Sequence, residues 1–310
     1  MILGIGEILV DIFKSSQQVT VLPGGAPFNV VSNVLSFDSN SSFYGVVGDD
    51  EYGHLLLEFV NSKKFTKPLI EIDKSKETTQ AIVTLENGER NFKFVRENGA
   101  DYCLKLEKLD EIDYSSVNIV HFGSLMLSEE RGRNFLRSAI SYYRNNYPSI
   151  KLSFDVNYRD DIFDSREQSI EIYNEFIKLF DIVKFSKDEV EILSQNEDYR
   201  VGIKKLTLPT QFVFITFGEE GSMLKINNYV FKAKSCPIKP IDTTGAGDAF
   251  YSYILSKMDK IDLLEFNEEQ INNILFRANC VGALATQKKG AVDIVPSEED
   301  VDAFISKMTK

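Results

Sequence analysis

The 310-residue chain contains no tryptophan, two histidines and three cysteines. Two histidines, His54 and His121, cannot supply a metal triad, and His121 sits in an apolar run that reads as packed core. Cys103, Cys236 and Cys280 are odd in number and widely scattered, with no pair at a C-x-x-C spacing, which suits a reducing cytosol. Positive charge is also short: 35 Lys and Arg against 47 Asp and Glu leave a net charge of -12. Nucleic acid and anionic lipid surfaces attract basic patches, so neither is an expected partner, and a small molecule is the better default. No stretch approaches the roughly 18 consecutive apolar residues of a membrane helix. The opening MILGIGEILVD lacks a basic leader and is interrupted by Gly4, Gly6 and Glu7, so a buried strand and a cytoplasmic protein are expected. Several motifs are missing as well: G-x-x-x-x-G-K-[ST], the third glycine of a dinucleotide fingerprint after Gly4-Ile5-Gly6, H-E-x-x-H and G-x-S-x-G.

What is present suffices for a large core, since 43% of residues are hydrophobic. Short β-rich runs alternate with helical patterns, the mark of βαβ units around a mainly parallel sheet. The spacing predicts core strands at Ile2 to Val10, Phe43 to Val47, Val117 to Phe122, Lys151 to Asp155, Asp181 to Phe185 and Phe212 to Phe217. Helices are expected at Pro27 to Ser36, Tyr52 to Lys63, Glu130 to Asn145, Arg166 to Phe180, Ala246 to Lys257, Glu268 to Gln287 and Glu298 to Lys307. Thr79 to Arg96 breaks this rhythm by alternating around Asn87-Gly88, a hairpin-turn dipeptide. With Phe13 to Leu22 it forms a projecting flap, on which Arg90, Phe92, Phe94 and Arg96 share one face.

Polar residues recur just past strand ends, where parallel sheets bind ligands. They include Asp11, Gly123-Ser124, Asp155, Asn157, Arg159, Lys184, Ser186, Glu189, Thr216 and Gly218. Residues 242–250 read DTTGAGDAF immediately before an amphipathic run. Gly245, Ala246 and Gly247 let backbone amides converge at a helix start, where the helix dipole favours an anion such as a phosphoryl group. Asp248 lies in the first turn, where the same dipole keeps it ionised and ready to accept a proton. The plainer alternative is a helix start with an ordinary N-terminal carboxylate.

DTTGAGDAF resembles the C-terminal signature of the ribokinase-like, PfkB-type carbohydrate kinases, and PGGAPFNVV at 23–31 and GVVGDDEYG at 45–53 are similar to its earlier blocks. Val31 stands where a small residue is more usual. GEILVD at 6–11, TLENGERNFKFVRENGAD at 84–101, HFGSLML at 121–127, SFDVNYRDDIF at 153–163 and KFSKDE at 184–189 look most like fructokinases, although Phe163 replaces a frequent tryptophan.

The resemblance implies an α/β, ribokinase-like domain over 1–310, with a mainly parallel sheet and a small antiparallel lid built from about 12–22 and 77–98. It implies transfer from ATP, with Mg2+, to a primary hydroxyl of a monosaccharide, fructose first. A kinase for ribose, 2-keto-3-deoxygluconate or another sugar is the same-class alternative, and a non-catalytic sugar- or nucleotide-sensing scaffold the different-class one. Asp248 would be the base, with Gly245, Ala246 and Gly247 as the anion cradle and Arg159 beside the phosphoryl group. Asp11, Gly24, Gly25, Asn29, Phe94 and Arg96 would face the sugar. Lys184, Ser186, Thr216, Gly218, Gly221, Asn279 and Gly282 would serve the nucleotide. Glu189 would act on Mg2+ through water, and Asp242, Thr244 and Gly290 resemble a loop that holds a monovalent cation such as K+. Pairing of two lids would make a homodimer.

Overall fold

Apolar β-rich runs and amphipathic helices resolve into two sheets and the helices that cover the larger one. The structure, a computed structural model, describes residues 1–14, 18–86 and 89–308, with backbone only for 84–86 and 89–92. The strands are β1 (Ile2–Ile5), β2 (Leu9–Lys14), β3 (Val19–Gly24), β4 (Ser41–Gly48), β5 (Leu69–Asp73), β6 (Gln80–Glu86), β7 (Glu89–Val95), β8 (Ile119–Phe122), β9 (Lys151–Asp155), β10 (Ile182–Ser186), β11 (Phe212–Thr216), β12 (Ser222–Ile226) and β13 (Tyr229–Ala233). The helices are α1 (Ala26–Val34), α2 (Glu51–Ser62), α3 (Glu130–Asn146), α4 (Arg166–Ile177), α5 (Lys187–Ser194), α6 (Tyr199–Leu206), α7 (Ala246–Met258), α8 (Glu268–Ala285) and α9 (Glu298–Met308).

Nine strands run in the order β13-β12-β11-β10-β9-β8-β1-β4-β5. Those from β11 to β5 pair in parallel, and β12 and β13 add an antiparallel edge. Because successive side chains point to opposite faces, Val183 and Phe185 join the core under α3 to α6, while Ile182 joins the core under α1, α2, α7 and α8. Burial on both faces is why these strands read as continuous apolar runs.

The predicted first strand, Ile2 to Val10, is two strands in different sheets. The chain breaks at Gly6 to Ile8, and β2 leaves the main sheet to pair with β3 and β6. The smaller sheet has the order β3-β2-β6-β7: two antiparallel hairpins joined through the parallel β2–β6 pair. The turn at Asn87-Gly88 and the side chains of Arg90 and Phe92 lie outside the described residues. The predicted helix Arg166 to Phe180 stops at Ile177. Cys236 and Cys280, 44 residues apart, are joined by a disulfide, which overturns the reading of three scattered thiols; Cys103 is free and buried.

Candidate active site

The segment before α7 is fastened to a second loop by one carboxylate. Asp242 is buried; its Oδ1 accepts from the Thr244 amide at 2.7 Å and its Oδ2 from the Gly290 amide at 3.2 Å. Gly245 caps α7 at φ 73°, and a Cβ there would lie 2.7 Å from Ala291 Cα, so only glycine fits the approach. The amides of Ala246, Gly247 and Asp248 open the helix, where they favour negative charge, and that of Ala246 also donates to the Thr243 carbonyl at 3.3 Å. On either side of this helix start lies a cleft, one of about 340 Å3 and one of about 290 Å3, and Thr243 and Gly247 line both.

The first cleft is rich in carboxylates. Asp248 faces it, and Asn29 on α1 donates to Asp248 Oδ2 at 2.8 Å. Burial, reinforced by Asp155, pushes the Asp248 carboxyl up to about 6, although Asn29, Lys184 and Arg159 pull it back. Burial therefore outweighs the helix dipole, yet the group is still mostly ionised at neutral pH. Asp11, inside β2's buried run, is pushed to about 7 by burial and by Asp248 and Asp242. Lys184 donates to both oxygens of Asp155 at 2.8 and 2.9 Å; burial opposes its charge, but Asp155 and Glu189 hold its pKa above the usual value. Leu9 and Ala81, with Phe94 from β7 and Leu125 after β8, supply an apolar wall.

The second cleft is built from turns and α8. Gly218 at φ 58° and Gly221 at φ 115° shape the loop after β11, beside Thr216. Asn279 and Gly282 line it from α8, with Phe250 and Ala246 from α7 and Cys236 from the segment after β13. Asn279 donates to the carbonyls of Ala233 and Lys234 at 3.2 and 3.1 Å, tying α8 to the end of β13.

The structure thus gathers Asp11, Gly25, Asn29, Phe94, Arg159, Gly245, Gly247 and Asp248 around one cleft. It places Thr216, Gly218, Gly221, Ala246, Asn279 and Gly282 around the other, with Gly247 shared between them. Gly24 stands opposite Leu9 in the β2–β3 pair. Asp242, Thr244 and Gly290 meet as one bonded loop pair.

Four residues depart from their expected places. Arg96 is absent from the lining of the first cleft; its guanidinium is buried against Asp101, at 2.7 Å from Oδ2, and also donates to Ser128. Lys184, expected on the nucleotide, lines the carboxylate-rich cleft instead. Ser186 caps α5 by accepting from the Glu189 amide at 3.2 Å. Glu189 accepts from the amides of Tyr158 and Ser186 at 2.9 and 2.7 Å, so both its oxygens are engaged by backbone. Among the described residues, no group of three or more His, Cys, Asp or Glu could hold a metal ion.

Sequence reasoning missed Glu7 as a lining residue. Its signal was a lone charged residue inside the apolar opening strand. His121, read as packed core, is fully buried with Nδ1 3.1 Å from Ser153 Oγ, and burial drives its pKa down to about 3.

Residues 6–298 match the family model of the pfkB family carbohydrate kinases. The chain is 31% identical over 314 residues to probable fructokinase-7 of Arabidopsis thaliana, covering 97% of this chain and 91% of that protein. It is 30% identical over 318 residues to fructokinase-2 of Oryza sativa subsp. japonica, covering 99% and 94%. A double-mutant fructokinase from Vibrio cholerae O395, solved in a fructose, ADP and potassium ion bound form, superposes with a TM-score of 0.86 at 28% identity, covering 98% of this chain and 97% of that one.

Proposed function

Since the chain belongs to the PfkB family of carbohydrate kinases and is an ATP-dependent sugar kinase, we propose that its sugar is fructose and that Asp248 activates the primary hydroxyl that receives the phosphoryl group. The observation that carries this reading is the start of α7, whose Gly247 borders both clefts. Sugar occupies the carboxylate-rich side and the nucleotide the glycine-lined side, so the γ-phosphoryl group meets the hydroxyl at the helix amides. Asp248 takes the hydroxyl proton as the new O–P bond forms and the bond from the γ-phosphorus to the bridging oxygen of ADP breaks. The amides hold the charge on the equatorial oxygens, with Arg159 on the same cleft wall.

Mg2+ travelling with the nucleotide would neutralise phosphate charge, held by phosphate oxygens and water; Glu189, whose oxygens already accept from backbone amides, would act on it only through water. Asp242, which bonds to 244 and 290 at once, supports a monovalent-cation loop behind the amides. Replacing potassium by a bulky organic cation then lowers turnover; equal rates remove that assignment.

An ADP-release assay over a sugar panel tests the substrate. Fructose ranks first on this reading. Faster turnover of ribose or 2-keto-3-deoxygluconate replaces it, and binding without turnover of any sugar points to a sensing scaffold.

Exposed Val19 and Val95 on the smaller sheet support its use as a lid that pairs with a second copy. Sedimentation analysis of Val19→Lys, expected to shift a dimer toward monomer, tests this. No described helix is long and apolar enough to cross a membrane; a cytoplasmic location, against which the Cys236–Cys280 disulfide counts, is checked by fractionation.

A further inference from the structure

Glu7 sits in the short connection between β1 and β2, is 2% exposed and lines the same cleft as Asp248. Its Oε2 is buried and has no hydrogen-bond partner. The space it fills exists because residue 123, just after β8, is glycine: a Cβ there would lie 2.1 Å from Oε2. Two separate strand ends are thus shaped around a carboxyl that the phosphoryl-transfer step does not use. An unpaired polar oxygen in a protein interior is expensive, and such groups are satisfied in nearly all native structures. Glu7 also borders the cleft, where a bound group can supply the missing partner.

We propose that Glu7 is a specificity-determining residue whose carboxyl completes its hydrogen bonding on one hydroxyl of the bound sugar, an assignment that rests on the sugar-kinase reading above. Burial pushes this carboxyl up to about 8. The charged groups acting on it are Asp101 and Asp248, which raise the value further, and Arg96, which with its own backbone amide lowers it. At neutral pH it therefore carries a proton and can donate as well as accept, which matches a hydroxyl.

The test compares KM for the sugar that wild type turns over best, for its monodeoxy analogues and for ATP, in wild type, Glu7→Gln and Glu7→Ala. Wild type is expected to lose about five- to tenfold in KM on removal of one particular hydroxyl, the size of a neutral hydrogen bond. Glu7→Ala should carry that same loss on the parent sugar and show no further loss on that one analogue, with KM for ATP unmoved. Glu7→Gln, which keeps shape and both bonding capacities, should leave the sugar KM within about twofold at neutral pH. Above pH 8 the wild-type sugar KM should rise while that of Glu7→Gln stays flat.

A sugar KM in Glu7→Ala equal to wild type, or losses identical across every analogue, overturns the assignment. If Glu7→Ala does not fold, Glu7→Gln decides: a pH profile identical to wild type overturns it equally. A wild-type preference for a sugar other than fructose sinks the fructose reading alone, because the Glu7 comparison is then made on that sugar.

Discussion

The two clefts that meet at α7 are made from different materials. The first draws Glu7, Asp11, Asp248, Asn29 and Arg159 from four separate parts of the chain and converges them on about 340 Å3. The second, of about 290 Å3, is walled by Ile238, Phe250 and Ala283 and by glycine turns, with few ionisable groups. A sugar offers hydroxyls in every direction, and each needs a partner when water is removed. A nucleotide base offers a flat apolar face, which close backbone approach and apolar walls can accept. Substrate identity is therefore written in side chains on one side and in backbone shape on the other.

Asp248→Ala breaks the first side most severely. It removes the base and is expected to lower kcat by about 10² to 10⁴, with an unchanged circular dichroism spectrum and little effect on KM for ATP. Near-wild-type turnover removes Asp248 from the mechanism. Gly221→Ala attacks the other side through its backbone. The residue holds φ 115°, and a Cβ would lie 2.1 Å from the Ala233 carbonyl oxygen, so a stability loss of about 1–3 kcal/mol is expected. KM for ATP should rise while KM for the sugar holds; equal movement of both would mean that the clefts are not separate.

Asn29→Ala has a smaller and more specific effect. The amide it removes donates to Asp248 Oδ2 at 2.8 Å and lowers that group's pKa. A base must be unprotonated to act, so wild-type kcat falls as pH drops through about 6. Without the donor this limb moves to higher pH, and kcat on the plateau falls about tenfold. A limb that stays in place shows that another group sets it.

The same contrast explains what could be read from the chain in advance. Backbone-shaped features were legible because they are local. The run at 242–250 announces the helix start, and the apolar, β-rich run Phe212 to Phe217 announces a core strand that the structure shows as Phe212–Thr216. Ser186 and Glu189 carry the Ser-x-x-Glu spacing of a capping box, and the structure shows the box at α5; the resemblance drew attention to metal chemistry and away from it. β5 and β13 were missed because, half-exposed at the two edges of the sheet, they lack the continuous apolar run that marks the equally short β10 and β11. Features that depend on distant partners were not legible at all. Arg96 looked free to reach a sugar until Asp101 was seen to hold it, Cys236 meets Cys280 only through packing of α8, and Glu7 is buried against a glycine over a hundred positions away.

The last comparison separates the clefts by charge alone. In the folded chain the Glu7 carboxyl titrates at about 8, against an ordinary value of 4.5, so the native state keeps a proton that the unfolded chain releases. Its contribution to stability is then fully present below about pH 4.5 and is lost as pH rises toward 8. Asp11, raised to about 7 from 3.8, adds a decline of the same sign at slightly lower pH. The slope from one such group cannot exceed about 1.4 kcal/mol per pH unit. Glu7→Gln removes the Glu7 share, so its melting temperature relative to wild type should climb steadily between pH 5 and about pH 8. Thr216→Val, in the second cleft, removes no ionisable group and should shift the melting temperature by the same amount at every pH. A Glu7→Gln difference that is equally flat means that Glu7 is already ionised in the folded protein, and the first cleft then holds a compensating charge near it.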